Sequence, residues 1–74
     1  MPKLPRISGR ECVNALEKVG FYFVRRAKSN HIYMRRDNPF AVISVPDHRE
    51  LHTGTLREII SQSGLTVQEF IDLI

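Results

Sequence analysis

The sequence predicts an α+β fold: a two-layer α-β-β-β-α domain with a short extra C-terminal helix. Three observations predict it. The segments Ser8-Gly9-Arg10-Glu11 and Thr66-Val67-Gln68-Glu69 are capping boxes, which mark helix starts. Between them, aromatic and β-branched runs are separated by short polar turns, the pattern of a strand meander. A chain of 74 residues with a single cysteine has room for one thin core and no internal disulfide, so one helical layer on one sheet suffices.

Residues 1–7 form a short arm, because Pro2 and Pro5 oppose an early helix. After the Ser8 cap, Cys12, Val13, Leu16 and Val19 recur at three- and four-residue spacing. They form the buried stripe of a helix that runs to about Val19, with Gly20 as its left-handed stop. Phe21 to Arg26 reads as the first strand. Ala27 to Asn30 is small and polar, hence a hairpin turn. The second strand runs from His31 to about Arg36. Its alternation puts Ile32 and Met34 on one face and His31, Tyr33 and Arg35 on the other. Asp37-Asn38-Pro39 is a turn, and Phe40 to Val45 is the third strand, stopped by Pro46. Being apolar on both faces, this third strand is expected to be the most enclosed of the three. Pro46 to Thr53 is an irregular loop. A helix then starts at Thr53 or Gly54, buries Leu56, Ile59 and Ile60, and ends at Gly64. The terminal helix carries Val67, Phe70, Ile71 and Ile74 as its apolar positions. With no repeat or linker, the expected organisation is a single domain over residues 1–74.

Charge is distributed unevenly. Residues 1–36 hold nine Lys/Arg against two Glu, and residues 37–74 hold two Arg against six Asp/Glu, so balances of +7 and −4 make up the net +3. A basic half favours phosphate polymers through counterion release. The plain alternative is a solvated charged face. No apolar run approaches the ~20 residues of a membrane span. The opening residues lack the apolar core of a signal peptide, and a lone cysteine suits a reducing compartment, so the expected location is cytoplasmic.

The chemistry-bearing stretch is Arg25 to Arg36, with five basic residues, no acidic residue and His31 within it. Histidine changes charge near neutral pH and moves protons as base or acid. Arg26, Lys28 and Arg35 are candidates to hold phosphate, Ser29 to hydrogen-bond it, and Tyr33 to stack on a base. His48 is a possible second proton carrier from the following loop. His48 and His52 are four residues apart but lack a third and fourth ligand, so neither metal nor cofactor is expected. Cys12, beside a buried stripe, reads as a core residue.

Three motifs carry a resemblance. Lys28-Ser29-Asn30-His31-Ile32-Tyr33 stands where a family typically has glycine, serine and one or two histidines. Val45-Pro46-Asp47-His48 follows a valine-proline-x-histidine element. Gly54-Thr55-Leu56 leads to Gly64-Leu65-Thr66. In this order and at this length the chain resembles the HicA-type mRNA interferase toxins of toxin–antitoxin pairs. The resemblance implies a fold like the double-stranded RNA-binding domain and endoribonuclease activity on mRNA. It also implies an essential strand-two histidine, here His31, and a HicB-type antitoxin that covers it. Two departures stand out. Lys28 replaces the family glycine, and lysine strains a turn that needs a positive φ. A match anchored on the first histidine of a pair falls on Asn30; the polar face of the strand selects His31. The competing readings are a non-catalytic RNA-binding module using the same basic face, and a surface that docks an acidic protein.

Overall fold

The computed structural model describes residues 3–28 and 30–74. The elements run α1 (Gly9–Glu17), β1 (Tyr22–Ala27), β2 (His31–Asp37), β3 (Phe40–Pro46), α2 (Thr53–Ser63) and α3 (Val67–Ile71). The strands form one antiparallel sheet in the order β1-β2-β3. The fold is the expected α+β arrangement.

The helices start where the sequence says they should. The Ser8 hydroxyl accepts from the Glu11 N–H at 3.0 Å while the Glu11 carboxylate accepts from the Ser8 N–H at 2.9 Å. Thr66 and Glu69 make the same reciprocal pair. Helix α1 ends at Glu17, two residues early, and the N–H groups of Lys18, Val19 and Gly20 turn to carbonyls three residues back. Gly20 and Gly64 take the left-handed conformation, with φ of 96° and 81°.

One core holds the layers together. Cys12, Ala15 and Leu16 of α1 meet Ile32 and Met34 of β2, Ile43 and Val45 of β3, and Leu56, Ile59 and Ile60 of α2. Phe70 of α3 closes it, fully buried. Burying each of the Val, Leu, Ile, Met and Phe side chains contributes about 1.5–3 kcal/mol. All three helices therefore cover one face of the sheet, and the other face is left uncovered by them. Three further core residues come from outside the regular elements: Phe21, just before β1, and Ile7 and Leu51, where the Leu51 N–H donates to the Ile7 carbonyl at 2.8 Å.

Two expectations need correction. Strand β3 is not the most enclosed; it is an edge strand, with Phe40 65% and Val42 48% exposed, and β2 takes the centre. Helices on a single face leave the outward residues of any strand uncovered, however apolar they are. The second concerns Arg26 of β1, a candidate to hold phosphate. Tyr22 and Phe23 pair with Arg35 and Met34, but Arg25, Arg26 and Ala27 pair with Tyr33, Ile32 and His31. The register slips by one residue, leaving Val24 as a β-bulge. A one-residue slip reverses the face of everything beyond it. Arg25 therefore joins the open face, and Arg26 turns to the helical side.

Candidate functional site

The open face of the sheet is built around alternate residues of β2. His31 lies between Ala27 of β1 and Pro46 of β3, Tyr33 between Arg25 and Ser44, and Arg35 between Tyr22 and Val42. His31 and Tyr33 are half-buried. The central strand thus presents an imidazole, a phenol ring and a guanidinium in a row, on the face the helices leave free.

The turn before His31 is strained. Lys28 has φ 45° and Asn30 φ 63°, both left-handed. Asparagine tolerates that region; for lysine it costs roughly 1–2 kcal/mol. Replacing Lys28 with glycine is expected to raise stability by about 1 kcal/mol, read from urea unfolding, while removing one cation from the turn. Asn30 lies in the turn, and its carbonyl accepts from the Asp47 N–H at 2.7 Å. That bond ties the segment after β3 to the start of β2. Ser29 lies outside the described residues.

Asp47 also decides the fate of Arg26. Its carboxylate binds the Arg26 guanidinium at 3.0 Å and that of Arg10 at 3.4 Å, on the helical side. The sequence makes Arg26 a candidate to hold phosphate; the bulge points it to the helical side, where it shares the Asp47 carboxylate with Arg10. Arg25, absent from the expected set, takes its place. The Arg25 guanidinium lies 4.8 Å from the centroid of the Tyr33 ring and covers one side of it.

Arg35 occupies the far end of the row. Four residues of strand separate its Cα from that of His31 by about 13 Å. Its Nε donates to Asp37 at 2.8 Å, and its guanidinium lies 5.1 Å from the Phe40 ring centroid. The Tyr22 hydroxyl donates to the same carboxylate at 2.9 and 3.1 Å. These two donors hold the Asp37 carboxyl below the usual carboxylate range. The hydrogen bond to Asp37 in turn raises the Tyr22 phenol, since losing its proton would place two anions side by side. Part of the Arg35 charge is therefore already compensated within the protein.

The loop after β3 brings His48 to the His31 end of the sheet. Its side chain is exposed, and its carbonyl accepts from the Gly9 N–H at 2.9 Å. His52 is the residue before α2 and makes no side-chain cap. Cys12 is buried, and desolvation pushes its thiol up to about 12, so it is a protonated core group and no nucleophile.

One feature of the face left no trace in the sequence. At the outer edge of β3, helix α2 rises beside the sheet and the two enclose a groove of about 530 Å³. Its sheet wall is Tyr33, Val42 and Ser44; its helix wall includes Thr55, Glu58 and Gln62. The three helix residues follow the three- and four-residue spacing of a single helix face. Read alone, they look like an ordinary solvated surface.

The sequence model of one family, described as the HicA toxin of bacterial toxin–antitoxin, matches residues 9–65. That span covers α1, the whole sheet and α2, including every residue of the open face described above. No curated relative matches the chain.

Proposed function

The chain belongs to the HicA toxin family of bacterial toxin–antitoxin systems, and on that premise we propose that it is an endoribonuclease that cleaves mRNA at His31. The observation that supports this reading most is the position of His31: central strand, helix-free face, beside the Lys28 turn and in line with Tyr33 and Arg35.

The chemistry follows from those groups. His31 takes the proton from a ribose 2′-hydroxyl. The 2′-oxygen forms a bond to the adjacent phosphorus, and the bond from phosphorus to the 5′-oxygen breaks. The departing oxygen takes up a proton, and His48 is the candidate donor, being carried on the segment that Asp47 anchors to Asn30. Cations stabilise the doubly charged phosphorane on the way. Lys28 and Arg25 are the nearest along the chain and across the sheet. Arg35, about 13 Å down the strand, holds a phosphate further along the RNA. Tyr33, stiffened by Arg25, stacks on an unpaired base. None of these steps requires a metal ion.

The partners follow from the same reading: mRNA as substrate, and a HicB-type antitoxin that covers the His31 face. The site of action is the cytoplasm, where mRNA is found. No helix among the described residues is long and apolar enough to cross a membrane.

The test is incubation of the purified chain with a long unstructured RNA in EDTA. Cleavage products carrying 2′,3′-cyclic phosphate and 5′-hydroxyl ends are expected. RNA binding that weakens steeply with salt, with no cleavage, would instead establish the non-catalytic RNA-binding module. The bulge makes a sharper prediction about affinity. Arg25→Ala is expected to weaken RNA binding and lower the salt slope by about one, whereas Arg26→Ala leaves both near wild type. Filter binding across a salt series reads the difference.

A further inference from the structure

The groove between β3 and α2 adjoins the proposed active face, and apart from Tyr33 its lining has no role in the chemistry above. We propose that it is a nucleobase subsite that selects guanine next to the cleaved phosphate, with Glu58 as the selecting residue. The inference rests on the reading of the chain as an RNA-cleaving protein and adds what sets its sequence preference.

Position comes first. Tyr33 belongs both to the row with His31 and to the groove wall. Arg25 covers one side of its ring at 4.8 Å, from β1. The groove lies toward β3, across the central strand from Arg25. A base entering there stacks on a ring already held by Arg25, two residues along the strand from His31. Val42, 48% exposed, offers it an apolar floor.

Chemistry then chooses among the bases. Ser44, Thr55 and Gln62 each donate and accept, so they suit any base edge. Glu58 alone is one-sided. An ionised carboxylate only accepts, through two parallel oxygens. Among the described residues Glu58 makes no ion pair or side-chain hydrogen bond, so its acceptors are available. Of the RNA bases, only guanine presents two adjacent donors on its Watson–Crick edge, N1–H and the N2 amino group. Adenine and cytosine present one donor beside an acceptor, and uracil one donor between two acceptors. Facing a carboxylate, each acceptor brings lone pairs against lone pairs. The setting also explains why a carboxylate stands beside a basic face: a discriminating group is tolerated where it meets a base edge, away from the phosphates.

The test has two arms. In the first, the full chain is titrated with guanosine 3′-monophosphate and followed by NMR. Amide shifts at Tyr33, Ser44, Thr55 and Glu58 are expected. Inosine 3′-monophosphate, which lacks the N2 amino group, is expected to bind about tenfold more weakly. Glu58→Gln replaces two acceptors by one acceptor and one donor, the pairing that suits adenine, and should reverse the preference toward adenosine 3′-monophosphate. In the second arm, cleavage sites are mapped on a randomised RNA. Guanine enrichment beside the cut is expected for the wild type, and a shift to adenine for Glu58→Gln. Equal affinity for guanosine and inosine nucleotides, shifts confined to other surfaces, or shifts that appear only when a partner protein is added would each overturn the subsite. Failure to cut RNA while guanosine nucleotide still fills the groove would sink the cleavage reading and leave the subsite standing. Cleavage with a site profile indifferent to Glu58 would do the reverse.

Discussion

His31→Ala is expected to lower RNA cleavage by roughly two to four orders of magnitude, the usual contribution of a positioned acid–base group, while leaving the fold and RNA affinity nearly unchanged. The structure separates these outcomes cleanly. His31 is half-buried at the end of β2 and makes no side-chain hydrogen bond among the described residues, so its loss leaves no partner stranded. Surface substitutions of this kind usually stay within about 0.5 kcal/mol. The cations and Tyr33, proposed to hold the RNA, are untouched. Cleavage rate, thermal unfolding and filter binding on one preparation therefore distinguish a reacting residue from a folding residue. Retained cleavage in His31→Ala would remove it from the mechanism. His48 is checked in the same assay. If it protonates the leaving oxygen, His48→Ala falls steeply as well, and the double variant falls little further than either single one, because groups acting in one step are not additive.

The placement of His31 was legible in the sequence because a half-buried strand writes its geometry in a period of two. Ile32 and Met34 had to face the core, so His31, Tyr33 and Arg35 had to face away. Both capping boxes were equally legible, being local hydrogen-bonding codes whose partners lie three residues apart. The features that escaped are those set by contacts between elements. The bulge at Val24 arises in a run, Phe23-Val24-Arg25, that contains no glycine to announce it, yet it exchanges Arg25 and Arg26 between faces. Leu51 is a core residue flanked by Glu50 and His52, with no periodic neighbours to reveal it. The apolar pattern of β3 suggested enclosure, whereas half of that pattern faces outward and Val42 floors the groove. The groove itself needs α2 and β3 side by side, and nothing in either segment alone specifies the distance between them. The family resemblance points to His31 as a candidate but carries no information on the register that decides which arginine shares its face.

Gly9→Ala is expected to cost about 3 kcal/mol or more, a large share of the stability of so small a domain, which at roughly 0.05–0.15 kcal/mol per residue is modest to begin with. The cause is close packing of backbone on backbone. A Cβ at Gly9 would drive into the carbonyl oxygen of Pro46 and come within 3.0 Å of the Asp47 Cα. Neither obstacle is a flexible side chain, so the helix or the loop must move. Moving either breaks the bond from the Gly9 N–H to the His48 carbonyl at 2.9 Å. It also disturbs Asp47, whose N–H holds Asn30 and whose carboxylate holds Arg10 and Arg26. The start of α1 thus acts as the seat for the segment that joins β3 to the His31 turn. Gly54 provides the control: a Cβ there meets nothing within 4 Å, so Gly54→Ala should be tolerated and even gain about 1 kcal/mol of helix propensity. Urea unfolding of the two variants tests the contrast. A Gly9→Ala protein that unfolds at the wild-type midpoint would show that α1 and the loop adjust freely, and that the seat of the Asp47–His48 segment is softer than this packing implies.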